Sequence, residues 1–213
     1  MSELTFQISG AQPERYAAVP TLGFGLLISE STGVSIQSIL LRCQIRIEPH
    51  RRHYSRDEES LLAEQFGEVP RWGDTLKPFL WTHVSAVVPA FSGSTEFQLP
   101  VPCSYDFELT AAKYFHALGD GDIPLLFLFS GTVFAKGGNG LQVSQVPWGK
   151  DIAYRLPLRV WQELADIYFP NSGWLRLRRE TLSELMKFKT LHALTTWDDV
   201  IEALLKEKAA ASL

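Results

Sequence analysis

The sequence predicts an α+β fold: a β-sandwich-like body of mainly antiparallel strands with a helical C-terminal portion packed on it. Period-two alternation of apolar residues recurs in separate segments between Leu4 and Val146, then gives way to helical spacing from Pro157 onward. Runs of strands followed by runs of helices indicate α+β. No Pro/Ser-rich linker, internal repeat, low-complexity tract or block of like charge interrupts the chain. Its 213 residues are therefore read as a single domain, 1–213, with a β-sandwich-like body over 1–147 and a mainly helical subdomain over 148–213.

Leu4, Phe6 and Ile8 alternate in a first strand. Leu22, Phe24, Leu26 and Ile28 lie on one face of a second, with Gly23 and Gly25 on the other. After the turn residues Ser31, Thr32 and Gly33, a long strand sets Leu41, Cys43, Ile45 and Ile47 against Arg42, Gln44, Arg46 and Glu48. Its upstream part, Val34, Ile36 and Ser38, is in opposite phase, which predicts a bulge near Ile39. Ser55 to Glu58 has the form of a capping box, and Leu61, Leu62 and Phe66 follow at helical spacing. A helix over 56–66, stopped by Gly67, spans a gap between two sheets or covers an edge.

Phe79 to Val88 alternates again, with both faces partly covered. Phe97, Leu99, Val101 and Cys103, then Tyr105, Phe107 and Leu109, continue the pattern, and Pro100 and Pro102 mark an edge or a crossing between sheets. A short helix over 111–118 ends at Gly119. Pro124 to Phe134, the turn Lys136, Gly137, Gly138, Asn139, Gly140, and Leu141 to Val146 form a β-hairpin. Pro157 opens an amphipathic helix carrying Val160, Trp161, Leu164, Ala165 and Tyr168, closed by Pro170. A short strand is read at 174–177 and a helix at 179–194. Thr196 with Asp199 caps a last helix bearing Trp197, Val200, Ile201 and Leu204, and the tail from Lys206 is expected to fray.

Aromatic residues make up 12% of the chain, enough to build a core and any concave surface around rings. A net charge of −4 provides no global field for phosphates or anionic lipid, so no nucleic acid partner is expected. The N-terminus lacks a basic region followed by an apolar run, so no signal peptide is read. Ile123 to Phe134, the most apolar stretch, is shorter than the roughly 20 residues of a membrane helix and contains Ser130 and Gly131. Without membrane insertion or a signal, the expected location is cytoplasmic. Cys43 and Cys103 belong to no CxxC or Cys/His cluster and are read as buried, reduced thiols.

The segment His50 to Glu59 offers a metal-site reading, with His50, His53 and nearby carboxylates as ligands. A strand end feeding a capped helix aims the two imidazoles in unrelated directions, and Arg51, Arg52 and Arg56 repel a cation, so no metal and no cofactor is expected. Arg42, Arg46, Arg51, Arg52 and Arg56 instead form an arginine patch suited to bidentate capture of carboxylate or phosphate. Interface hot spots favour Trp, Tyr and Arg. The candidate partner-binding surface is therefore Arg51, Arg52, Tyr54, Arg71 and Trp72, against the plain alternative of a solvated face with Arg–carboxylate pairs.

Other motifs point to less. Gly137, Gly138 and Gly140 lack the Lys and Ser/Thr of a phosphate loop and read as a hairpin turn. Ser130 lies outside a GxSxG elbow, neither cysteine has a nominated base, and His83 and His116 read as structural. Asp106 with Glu108, and Asp120 with Asp122, are candidate paired acids or calcium oxygens without EF-hand spacing. Most of the Trp residues are core candidates, and Trp148, after Pro147 in a loop, is a candidate for exposure.

Six segments carry a resemblance: IEPHRRHYS from Ile47, RWGDTL from Arg71, IPLLFLFSGTVF from Ile123, QVPWGKDIAYRLP from Gln145, YFPNSGWLRL from Tyr168 and TTWDDVIEALL from Thr195. Over nearly its whole length the chain resembles a bacterial family with a domain of unknown function, whose genes are associated with clusters for actinobacterial-type high-affinity nickel-iron uptake hydrogenases. The resemblance implies a non-catalytic assembly, maturation or scaffold factor whose partner is a hydrogenase subunit or maturation factor. It transfers no catalytic or binding residue.

The alternative is a β-sandwich module that binds a small ligand, such as a carbohydrate or peptide, in an aromatic-lined cleft. A third reading is an enzyme whose groups come together without a linear motif. Oligomeric state and the pairing of free strand edges stay open at this level.

Overall fold

The computed structural model describes residues 3–104, 110–137, 140–172 and 176–211. The chain divides into two compact units, Met1–Trp174 and Leu175–Leu213. No helix among the described residues is long and apolar enough to cross a membrane.

The fold is α+β, and the first unit is built on two antiparallel sheets. One sheet joins β1 (Leu4–Pro13), β2 (Thr21–Glu30) and β5 (Ser94–Pro102) in the order β1-β2-β5. The other joins β3 (Ile36–Ile47), β4 (Phe79–Val88), β6 (Asp122–Gly137), β7 (Gly140–Gln145) and β8 (Asp151–Pro157). Its order is β4-β3-β6, after which β7 and β8 share the far edge of β6. β8 pairs with Asp122 to Leu128, and β7 pairs with Thr132 to Gly137.

Alternation produces this arrangement directly. Leu22, Phe24, Leu26 and Ile28 of β2, Ile39, Leu41, Cys43, Ile45 and Ile47 of β3, and Ile123, Leu125 and Phe127 of β6 are all buried in one core. Rings lock the two sheets together: Phe6 stacks on Phe129 at 4.7 Å, and Phe24 meets Phe127 edge-on at 5.1 Å. The predicted bulge exists but falls earlier, where the β3–β6 register shifts between Ile36 and Ser38.

The capping box operates as its spacing predicts. Glu58 N–H donates to Ser55 Oγ at 3.3 Å, Ser55 N–H donates to Glu58 Oε2 at 2.8 Å, and α1 runs Arg56–Phe66. Gly67, at a φ of 77°, ends it. A short helix, α2 (Trp72–Thr75), and α3 (Thr110–His116) follow. Helix α4 (Leu158–Tyr168) buries Leu158, Trp161 and Leu164 and packs against β1, β2 and β8. The Tyr168 hydroxyl lies 2.9 Å from the carbonyl oxygens of both Glu14 and Ala17, tying α4 to the β1–β2 connection.

The second unit is a helix pair, α5 (Arg179–Leu191) and α6 (Trp197–Ala211). Asp199 N–H donates to Thr196 Oγ1 at 3.0 Å and Thr196 N–H donates to Asp199 Oδ2 at 2.9 Å, so the cap read from sequence is present. The Thr196 hydroxyl and N–H and the Thr195 hydroxyl pull the Asp199 carboxyl down to about 2. Helix α6 continues through Ala211 where fraying from Lys206 was expected. Strand β8 was not anticipated. The strand read at Tyr105, Phe107 and Leu109, the acids Asp106 and Glu108, and the turn residues Gly138 and Asn139 lie outside the described residues. So do Trp174 and Leu175 of the strand read at 174–177, whose remainder has no strand conformation.

Candidate functional site

Arg51, Arg52 and Tyr54 of the predicted recognition residues sit where β3 turns into α1, and Arg71 and Trp72 follow α1; Arg52, Tyr54 and Trp72 face inward. The Arg52 side chain is 8% exposed and pairs with Glu58, itself 7% exposed, at 2.8 Å. Its Nη1 donates to the carbonyls of Asp120 and Asp122 at 3.3 and 3.2 Å, and its Nε donates to His53 O at 3.2 Å. Glu58 Oε1 also accepts from Gly119 N–H at 3.0 Å. Burial pushes the Glu58 carboxyl up, and the Ser55 and Gly119 N–H groups with the Arg52 guanidinium more than offset it, leaving the group below the ordinary carboxylate range.

Tyr54 fills the space beside this pair. Its hydroxyl donates to Pro49 O at 2.6 Å and lies 2.7 Å from the Tyr114 hydroxyl. The Tyr54 ring lies under the Arg52 guanidinium at 5.0 Å and meets Trp72 edge-on at 5.3 Å. Trp72 Nε1 donates to Gly67 O at 2.8 Å. Burial pushes the Tyr54 phenol up to about 12 and raises that of Tyr114 further, so both hydroxyls stay protonated. Arg52, Tyr54 and Trp72 thus act as an internal clamp. The chain neighbours Arg51, half-exposed and paired with Glu48 at 2.8 Å, and Arg71, exposed, face outward.

A second buried carboxylate works the same way. Glu30 accepts from the Thr32 hydroxyl and N–H groups and from the N–H groups of Glu3 and Val34, at the β2–β3 connection. Burial raises its pKa and these donors together lower it below its ordinary value. A carboxyl whose folded pKa is depressed contributes stability above its unfolded value of about 4 and loses it as pH falls through the folded value. Thermal unfolding followed by circular dichroism should therefore show Tm dropping from pH 5 downward, with the drop shallower in the Glu30→Gln/Glu58→Gln double variant. An equal acid slope in both proteins would refute the assignment.

The remaining sequence candidates separate. Arg42 lies exposed on the outward face of β3, while His50 and His53 are exposed in the turn before α1. Cys43 and Cys103 are buried as expected, and burial pushes each thiol up to about 12, so neither is a thiolate near neutral pH. Among the described residues no group of three or more His, Cys, Asp and Glu is placed to hold a metal ion.

Two further features stand out. Where β6 leaves β8 and joins β7, the loop after Gln145 is pinned at both ends. Val146 N–H donates to Gly131 O at 2.9 Å and Phe129 N–H donates to Lys150 O at 2.8 Å. The loop leaves Trp148 fully exposed and borders a cleft of about 380 Å³ lined in part by Gln44, Phe129, Gln145 and Lys150. The sequence marks Trp148 as a candidate for exposure but does not show the cleft.

The helix pair is the other feature. Helix α5 has no buried residue, and Leu182, Met186 and Leu191 are exposed on it, as are Trp197, Ile201 and Leu205 on α6. Leu185, Phe188, Leu191 and Leu204 line a groove of about 570 Å³ with Glu184 and Lys187 on its rim. A unit this short is below the size at which one core suffices for stability. The signal was in the sequence: each helix carries more apolar positions, at i and i+4, than contact with a single neighbouring helix can cover.

No curated protein and no solved structure matches the chain. One family's sequence model matches residues 1–212, and on that match the chain belongs to the family of unknown function DUF6084.

Proposed function

We propose that the chain is a cytoplasmic, non-catalytic accessory protein that holds a protein partner, a nickel-iron hydrogenase subunit or one of its maturation factors. The hydrogenase connection comes from the resemblance carried by segments such as IEPHRRHYS and QVPWGKDIAYRLP. The partner-holding role rests on one observation, the uncovered apolar surface of α5 and α6. An amphipathic helix of the partner suits the groove, because its apolar floor takes anchors at i, i+3 and i+7, while Glu184 and Lys187 beside it are paired with each other at 2.7 Å and leave no uncompensated charge there.

Co-expression with the hydrogenase subunits and maturation factors, followed by size-exclusion chromatography, tests this. The wild-type chain should co-elute with one of them. Leu191→Glu, in the groove lining and 81% exposed, should weaken the complex at least tenfold, equivalent to about 1.4 kcal/mol or more, with the circular dichroism spectrum unchanged. No co-elution with any of these proteins would end the reading. Loss on Arg51→Glu/Arg71→Glu, with the helix variant unaffected, would move the surface to the segments on either side of α1. The Trp148 cleft favours the small-ligand alternative, for which quenching of Trp148 emission by oligosaccharides or short peptides, absent in Trp148→Phe, is the expected sign.

A further inference from the structure

We propose that β7 is a self-pairing edge through which two copies of the chain join into one continuous sheet. Exposed strand edges invite pairing, and natural folds blunt them with charge, proline, bulges or cover. The other strand edges among the described residues are blunted. β1 carries a register shift between Ile8 and Gly10 and packs beside β8 and α4. β5 holds Pro100 and Pro102. β4 bulges at Trp81, which is skipped between the pairs Arg46 with Leu80 and Ile45 with Thr82, and it packs beside β5. β8 carries Asp151 and Arg155 and ends at Pro157.

β7 has none of these devices. Gly140 to Gln145 reads Gly-Leu-Gln-Val-Ser-Gln, without a charge or a proline, and its register with β6 is unbroken. Leu141 is 64% and Val143 56% exposed although both have strand-forming neighbours on one side only. Val143 is the direct cross-strand partner of Phe134, so the two share a face.

The strand's chemistry selects a second copy over a foreign segment. A two-fold axis sets residues near it against themselves, so any charge there would face its like. With the axis at Val143, valine meets valine, Gln142 stands opposite Ser144, and Leu141 stands opposite Gln145, with no charged pair anywhere along the strand. A foreign extended segment is ordinarily chosen by side-chain pockets or opposite charge beside the edge; β7 itself contributes no charge, and the Trp148 cleft touches only its last residue, Gln145. A six-residue edge is small beside standard interfaces, so the association is concentration-dependent.

Sedimentation equilibrium of the full chain across a hundredfold concentration range tests the proposal. The wild type should move from monomer toward dimer, and Val143→Thr, which keeps strand propensity, should do the same. Val143→Lys and Val143→Glu should each stay monomeric with unaltered circular dichroism and Tm. An equimolar mixture of the two should recover a mixed dimer, because lysine then faces glutamate. A wild type that is monomeric throughout, or a charged variant that dimerises like the wild type, would overturn self-pairing at β7. A mixture that stays monomeric would overturn the axis at Val143.

Discussion

Arg52→Ala is expected to destabilise the fold by about 3–5 kcal/mol, the usual result of removing one member of a buried, hydrogen-bonded ion pair. The deletion strands Glu58, 7% exposed, without its counter-charge, and it frees the carbonyls of Asp120 and Asp122 that the guanidinium gathers. The Tyr54 ring also loses the cation above it. Urea unfolding should show the midpoint falling accordingly. Arg52→Met/Glu58→Leu should recover much of the loss, since an apolar pair of similar volume leaves no buried charge. A loss under about 1 kcal/mol for Arg52→Ala would mean that the pair is solvated. Arg52→Glu consequently tests folding and not recognition, which is why the outward-facing Arg51 before α1 and Arg71 after it are the useful positions.

Gly131→Ala should cost about 2–5 kcal/mol, combining strain at a positive φ with overpacking. Gly131 has a φ of 145°, and an added Cβ would lie 2.1 Å from the carbonyl oxygen of Leu40. That oxygen is backbone of β3, the central partner of β6, so the methyl is accommodated only if the two strands part. Hydrogen exchange at Leu40 and Leu41 should accelerate along with the lowered urea midpoint. A variant within about 0.5 kcal/mol of wild type would show that the β6 backbone can relax there.

The strands were legible because each buries one face, so Leu22, Phe24, Leu26 and Ile28 announce both their conformation and their side. The α1 cap was legible because its donors and acceptors lie within three residues. β8 was not, although Ile152, Tyr154 and Leu156 alternate, because the stretch is short and Pro157 directs attention to the helix behind it. At the recognition turn, Arg, Tyr and Trp in proximity describe an interface and an internal clamp equally well. What distinguishes them is contact with Tyr114, Gly119, Asp120 and Asp122, some 60 to 70 positions away in the chain. No local pattern encodes that meeting. Trp148 was readable from its place after Pro147 in a loop, whereas the cleft beside it depends on β6 changing partners.

That β3 lies between β4 and β6 also fixes an order of events at the ribosome. β4 emerges about thirty residues after β3, behind α1 and α2, and can pair with it then, but the other flank of β3 waits for β6, which begins about 75 residues after β3 ends. Throughout that interval Leu41, Cys43 and Ile45 are part of a nascent chain whose central seam is open, so translation speed between β4 and β6 governs how long it is exposed to misassociation.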